Sequence, residues 1–167
     1  MTDIVIRRAV ASDLDALLGL YNHYVANTHI TFDVEPRTRE QRKVWLDGFS
    51  EVGRRQCFVA AKSGKAIGWA SSGPFKDRAA YDTSVETSIY LAPDESGKGL
   101  GRRLYQTLLD ALATEDVHRA FGGIAQPNEA SVGLHRAMGY RHVGTYSEVG
   151  RKFGKFWDVA WYEKPLG

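Results

Sequence analysis

Along SDLDALLGLYNHYVAN (12–27), apolar side chains recur every three or four residues, at Leu14, Leu17, Leu18, Tyr21 and Val25. That period predicts an amphipathic helix. Ser12 and Asp15 stand in near capping-box spacing at its start, with Asp15 in place of the usual Glu or Gln. The preceding IVIRRA (4–9) reads as a strand. ITFDVEP (30–36) reads as extended or irregular chain ending at Pro36, and TREQRKVWLDGF (38–49) as a second helix opened by a capping box of Thr38 and Gln41. QCFVAAKSGKAIGWASSGPF (56–75) carries two apolar strands around a Ser63-Gly64 turn, a hairpin signature.

KDRAAYD (76–82) is a polar loop, and TSVETSIYLA (83–92) is rich in β-formers, with Val85, Ile89 and Leu91 as core candidates. A third helix is predicted from about Gly99 to Thr114. RAFGGIAQ (119–126) follows as a strand, and NEASVGLHRAMG (128–139) as a short helix closed by Gly139. The final 27 residues or so of apolar and aromatic character make a closing pair of strands. The order β-α-α-β-β-β-α-β-α-β-β predicts an α/β fold of the α+β type. Its sheet is mixed, mostly antiparallel with one parallel crossover, and flanked by helices. No repeat, low-complexity tract or linker interrupts it, so one domain over 1–167 is expected.

Composition narrows the functional classes. The 22 basic and 20 acidic residues nearly balance at a net charge of +2, and the basic ones are scattered apart from pairs such as Arg54-Arg55 and Arg102-Arg103. Nothing in that balance points to nucleic acid. No apolar run approaches ~18 residues, so no membrane association is expected. MTDIVIRRA lacks the basic and apolar regions of a signal peptide, which makes a cytoplasmic location the expectation. The single cysteine, Cys57, lies in an apolar strand and reads as a buried structural thiol. His23, His29, His118 and His142 show no metal-ligand spacing, and no metal is expected.

One stretch carries chemistry. In IYLAPDESGKGLGRRLYQTLLDAL (89–112), Gly97, Gly99 and Gly101 occupy alternate positions where a helix should begin. A strand passing through a glycine-rich turn into a helix N-terminus makes an anion site of free N–H groups. Lys98, Arg102 and Arg103 add cations around its rim. Lys98 is followed by Gly99 rather than a hydroxyl residue, which excludes a Walker A loop. Gly101 is followed by Arg102, Arg103 and Leu104, which excludes a dinucleotide G-x-G-x-x-G. A pyrophosphate held by backbone alone fits better.

These residues resemble the acetyl-CoA pyrophosphate loop of the GNAT N-acetyltransferases, where the usual Gln or Arg is replaced here by Ser96. NEASVGLHRAMGY (128–140) resembles the family's N-x-x-A…LYEKxGF segment. YNHYV, TFDVEPRT, GPFKDRAAYD, VETSIYL, LHRAMGY and GRKFGKFWDVAWY together resemble, over nearly the whole chain, the phosphinothricin and methionine sulfoximine N-acetyltransferases. The resemblance implies acetyl-CoA as co-substrate and a homodimer. It implies cofactor contacts from Ile89, Tyr90 and Leu91 on the strand, from Gly97, Lys98, Gly99, Leu100, Gly101 and Arg102 in the loop, and from Asn128 and Ser131 downstream.

Acetyl transfer from a thioester to an ammonium requires a base, and direct attack needs no covalent enzyme intermediate. Glu86, a carboxylate amid apolar strand sequence, is the leading general base, and the resemblance places the base there too. His135 occupies the position of a tyrosine proposed as general acid in many relatives, and is the second catalytic candidate. Lys76 and Arg78, two apart in an extended loop, suit a fork for a carboxylate or phosphinate. The resemblance sets them with Phe32, Tyr81 and Ser88 in an acceptor site for a small amino acid. GRKFGKFWD (150–158) either closes over that site or joins a subunit interface. An acetyltransferase for a polyamine or peptide N-terminus, and a non-catalytic acyl-CoA-binding module, remain alternatives at this point.

Overall fold

In the computed structural model, which describes residues 3–167, strict alternation along Cys57–Ala60 decides the layering. Phe58 and Ala60 enter one buried cluster while Cys57 and Val59 enter another. A strand with both faces apolar must be covered on both sides. β2 (Cys57–Lys62) is therefore central, with β1 (Ile4–Arg8) and β3 (Lys65–Pro74) antiparallel beside it. The β2–β3 turn places Ser63 and Gly64 at φ 51° and 81°, the mirror-image turn that suits the twist of a hairpin.

β4 (Ser84–Leu91), β5 (Arg119–Ala125), β6 (Arg141–Lys152) and β7 (Lys155–Pro165) complete one seven-stranded sheet in the order β1-β2-β3-β4-β5-β7-β6. Every pairing is antiparallel except β4 with β5, the single parallel crossover expected. α1 (Leu14–Asn27) and α2 (Arg39–Asp47) cover one face through Leu14, Leu17 and Leu46 against Val59 and Trp69. α3 (Leu100–Leu112) and α4 (Glu129–Ala137) lie on the other. Leu104, Leu108, Leu109 and Leu112 of α3 are essentially fully buried there, each worth about 1.5–3 kcal/mol. No helix among the described residues is long and apolar enough to cross a membrane.

The capping box of α2 forms as expected: Thr38 Oγ1 accepts from Gln41 N–H at 3.2 Å and Gln41 Oε1 from Thr38 N–H at 2.9 Å. The start of α1 differs from expectation. A short 3₁₀ turn, Ala11–Asp13, precedes it, and neither the turn nor α1 has a side-chain cap. The carboxylate that reaches back to a backbone N–H is Asp13, accepting from Val10 at 2.9 Å, rather than Asp15. Asp13 is already oriented by two bonds from the Arg7 guanidinium at 2.7 and 2.9 Å. Asp15 instead accepts from Arg39 Nε at 2.8 Å.

Candidate active site

β4 and β5 pair only over Ser84–Glu86 with Arg119–Phe121. Beyond that point β4 continues to Leu91 along β3, β5 continues to Ala125 along β7, and the two part. A cavity of about 510 Å³ fills the opening. Ala92 N–H donates to Ile67 O on the β3 side at 2.8 Å, and antiparallel residues alternate in direction. Thr87, Ile89 and Leu91 therefore turn their N–H and C=O groups toward the gap. The oxygen of Leu91 is taken by the Tyr24 hydroxyl.

At the far end of β4 the chain enters α3 through the glycine-rich loop. Gly97 and Gly99 both have φ of +76°, the left-handed region that a side chain makes costly. Gly99 is the N-cap of α3 with no side-chain cap, whereas Thr38 caps α2 and Asn128 caps α4. The first intrahelical bond runs from Arg103 N–H to Gly99 O. The N–H groups of Leu100, Gly101 and Arg102 are thus left without helical acceptors beside the cavity, the arrangement that binds anions.

Ile89, Tyr90, Leu91, Gly97, Gly99, Gly101, Arg102, Asn128 and Ser131 all border the cavity. Leu100 is not among the residues that border it, and its side chain is buried in the core. The Lys98 ammonium is held away by Asp94 O at 2.7 Å and Glu95 at 3.3 Å. Asn128 Oδ1 accepts from Ser131 N–H, so its NH₂ group is what remains for a ligand. Tyr24, Ile30, Thr87, Gly123 and Ala125 also line the gap. The strand parting, a long-range register feature, exposes Thr87, Gly123 and Ala125 there, and α1 with the segment after it brings Tyr24 and Ile30.

Glu86 stands where the pairing ends, opposite Phe121. Its carboxyl is partly buried and makes no ion pair among the described residues, and desolvation raises its pKa above the ordinary glutamate value. Val85 faces the α3 side, so Glu86, Ser88 and Tyr90 face the α1–α2 side, where Tyr90 stacks on Trp69 at 4.7 Å. A second cavity of about 330 Å³ opens on that side, and Ser88 and Tyr90 border both cavities.

Beneath β4 lies a buried polar chain. His135, only 3% exposed, meets Ser131 O through Nδ1 at 2.8 Å and Tyr105 Oη through Nε2 at 3.0 Å. A carbonyl only accepts, so Nδ1 carries the proton and the Tyr105 hydroxyl donates to Nε2. Tyr105 lies 2.6 Å from Thr87 Oγ1, which lies 2.8 Å from the Tyr140 hydroxyl. Burial lowers the His135 pKa and keeps the ring neutral. The Cys57 thiol is pushed up to about 12 by burial, which leaves it inert.

Phe75 stacks on Phe121 at 4.2 Å, and the Lys76 ammonium sits 5.3 Å from the ring centres of both Phe75 and Tyr81. Lys76 and Tyr81 are thereby gathered one strand from Glu86. Arg78 is exposed and precedes the short 3₁₀ turn Ala79–Tyr81 within the polar loop. Phe32 comes from the α1–α2 connection, which is irregular as expected, and lies against Gly150 of β6. Lys152 Nζ donates to Thr31 O at 2.8 Å and fixes the same contact.

A Cβ at Gly150 would stand 2.2 Å from Phe32 Cε2, an overlap costing about 1–3 kcal/mol unless the ring moves. Gly150→Ala is expected to lower Tm by about 2–4 °C per kcal/mol of that cost. Scanning calorimetry of the variant beside the wild type checks this.

The comparisons with known proteins agree with this geometry. A family model described as an acetyltransferase (GNAT) domain matches residues 6–161. Phosphinothricin N-acetyltransferase of Streptomyces coelicolor is 55% identical over 98% of this chain and 97% of its own length. An L-methionine sulfoximine/L-methionine sulfone acetyltransferase of Pseudomonas paraeruginosa is 32% identical over 96% of this chain and 94% of its own. A crystal structure of a GNAT superfamily phosphinothricin acetyltransferase from Sinorhizobium meliloti in complex with acetyl-CoA superposes with a TM-score of 0.93. It has 32% identity and covers 100% of this chain and 90% of that one. With more than nine-tenths of its length matched by such enzymes, the chain belongs to the phosphinothricin and methionine sulfoximine family of GNAT N-acetyltransferases.

Proposed function

We propose that this chain, as one N-acetyltransferase domain, transfers acetyl from acetyl-CoA to the α-amine of a phosphinothricin- or methionine-sulfoximine-like amino acid. The observation that carries the reading is the gap between β4 and β5, with an uncapped helix N-terminus at one end and a desolvated carboxyl at the other. Acetyl-CoA supplies an activated thioester. The N–H groups of Leu100, Gly101 and Arg102 hold its pyrophosphate, with the Arg102 side chain and the Asn128 amide beside them. The N–H of Ile89, turned into the gap, donates to the thioester oxygen as charge develops on it.

Glu86 takes the proton from the acceptor ammonium, and the freed amine attacks the carbonyl carbon. The attacking nitrogen, cationic after addition, gives up a proton as the C–S bond breaks, and the departing thiolate takes up that proton. Neutral His135, with both nitrogens engaged, holds Tyr105 and Thr87 under the reacting strand. Lys76 and Arg78 receive the acceptor carboxylate, with Phe32, Tyr81 and Ser88 shaping its site.

The reading includes a cytoplasmic setting, supported by the one free, buried thiol. It also includes a homodimer. Val143, Tyr146, Val149, Phe153 and Phe156 on β6, β7 and their turn are all more than half exposed, a patch suited to a second copy.

An acceptor panel with acetyl-CoA and a thiol-release readout tests the reaction. Turnover of phosphinothricin and methionine sulfoximine, with none of spermidine or peptides, is expected. Preference for a polyamine or peptide overturns the acceptor class, and acetyl-CoA binding without turnover on any amine overturns catalysis.

A further inference from the structure

Arg42 lies within REQRKVWLD, a helix whose other charged residues face solvent, yet it is 95% buried, with a relative exposure of 5%. Its guanidinium carbon is 3.4 Å from the ring centre of Trp45, 4.6 Å from that of Tyr21 and 4.7 Å from that of Trp69. Nε and Nη2 are buried without any hydrogen-bond partner. The group forms no ion pair among the described residues. Aromatic faces favour the cation but accept no strong hydrogen bond, so the donors stay unsatisfied.

Nothing nearby is free to answer this charge. Asp33, which lines the same 330 Å³ cavity, is bound by Arg37 through bonds of 2.8 and 2.6 Å and accepts from the Tyr21 hydroxyl. The cavity therefore holds two guanidiniums against one carboxylate. Desolvation lowers the Arg42 pKa to about 10, so it remains charged at neutral pH. A buried, unpaired cation in a cavity of ligand size calls for an anionic or strongly polarised oxygen from outside.

We infer that Arg42 receives the distal oxo group of the acceptor side chain, the phosphinate, sulfone or sulfoximine oxygens, while the acceptor amine stays at Glu86. This rests on the proposed acceptor class and adds the residue that selects within it. Ser88 borders both cavities and lies two residues from Glu86 on the same face of β4. That step is about 7 Å along a strand, comparable to the span from the α-nitrogen to the distal oxygen of such an amino acid. Lys76 and Arg78 then answer the α-carboxylate at the other end, so the two anionic ends meet separate cations. Arginine suits the role because its planar fork matches a tetrahedral oxo group with two parallel donors.

The test compares kcat/KM for phosphinothricin, methionine sulfone and norleucine, which lacks distal oxygens, in the wild type, Arg42→Lys and Arg42→Met. Arg42→Met is expected to lose about 10- to 100-fold on phosphinothricin relative to norleucine, with a smaller loss on the uncharged sulfone. Arg42→Lys, which keeps the charge in the cage, should fall between, and the KM for acetyl-CoA should not move. In the wild type, saturation with phosphinothricin should shift the Arg42 Nε–H resonance, a readout that needs no variant to fold. An equal loss on all three acceptors, or an unmoved resonance, overturns the role of Arg42 while the acceptor class stands. A wild type that turns over neither oxo acceptor overturns the acceptor class, and this assignment with it.

Discussion

Glu86→Gln lowers kcat by about a hundredfold or more, within the range of a lost general base, leaves the acetyl-CoA KM unchanged and raises Tm. The last outcome separates this position from an ordinary buried residue. The Glu86 carboxyl makes no ion pair, and burial alone raises its pKa. Such a group binds its proton more tightly in the folded than in the unfolded state. Its contribution to stability is fully present below the unfolded pKa and is lost as pH rises through the raised folded one. At neutral pH the ionised carboxylate therefore strains the fold, and a neutral amide of the same shape relieves it. The acid limb of the wild-type kcat/KM profile should accordingly lie above the ordinary glutamate range, and it should vanish in the variant. A wild-type acid limb that stays within the ordinary glutamate range, or a variant that keeps the wild-type kcat, would remove Glu86 from the proton transfer. A lowered Tm would show that its carboxylate does not strain the fold.

The second large effect concerns stability. Thr87→Val keeps the volume of a side chain only 3% exposed but deletes the hydroxyl joining Tyr105 to Tyr140. His135 Nε2 must accept from Tyr105, so the Tyr105 oxygen accepts from Thr87, and Thr87 accepts from Tyr140. Phe121 O, 3.2 Å away, shares the threonine proton. In the variant the Tyr140 hydroxyl loses its acceptor and the Tyr105 oxygen its donor, both inside the core. Stranding buried polar groups costs about 1–3 kcal/mol, or about 2–4 °C in Tm per kcal/mol for a chain of this size. Scanning calorimetry at neutral pH measures it, and Tm within 1 °C of wild type, roughly the scatter expected for a surface change, would mean the chain of hydroxyls holds nothing together.

Local chemistry made much of the fold legible. The 3.6 period gave α1 and α3, the Ser63-Gly64 pair gave the first hairpin, and Thr38 with Gln41 gave the start of α2. The alternate glycines announced the anion loop because positive φ is a demand written in single residues. What stayed hidden depends on distant partners. Ser12 and Asp15 have the spacing of a cap, but Arg7, on the preceding strand, orients Asp13 to reach back to Val10 and the helix starts without a side-chain cap. Arg42 reads as one more charge on a polar helix, and only tertiary packing brings Tyr21 and Trp69 to join Trp45 around it. Lys152 reads as surface for the same reason, although Thr31 holds its ammonium in the interior. The point where β4 leaves β5 has no signature in β4, which stays rich in β-formers past Glu86, and in β5 its one local sign is the Gly122-Gly123 pair that follows Phe121.

That parting has a thermodynamic side. The sheet lacks a strand's worth of partners between Thr87–Leu91 and Gly122–Ala125, and the pantetheine arm of acetyl-CoA carries two amides that can stand in for some of them. Cofactor binding therefore supplies hydrogen bonds that folding alone leaves unmade along this edge. A protein saturated at a hundred times its dissociation constant gains about 2.7 kcal/mol over the empty one. In a chain built this way saturating acetyl-CoA is expected to raise Tm as well as to supply the reaction, and a thermal melt with and without it measures the difference.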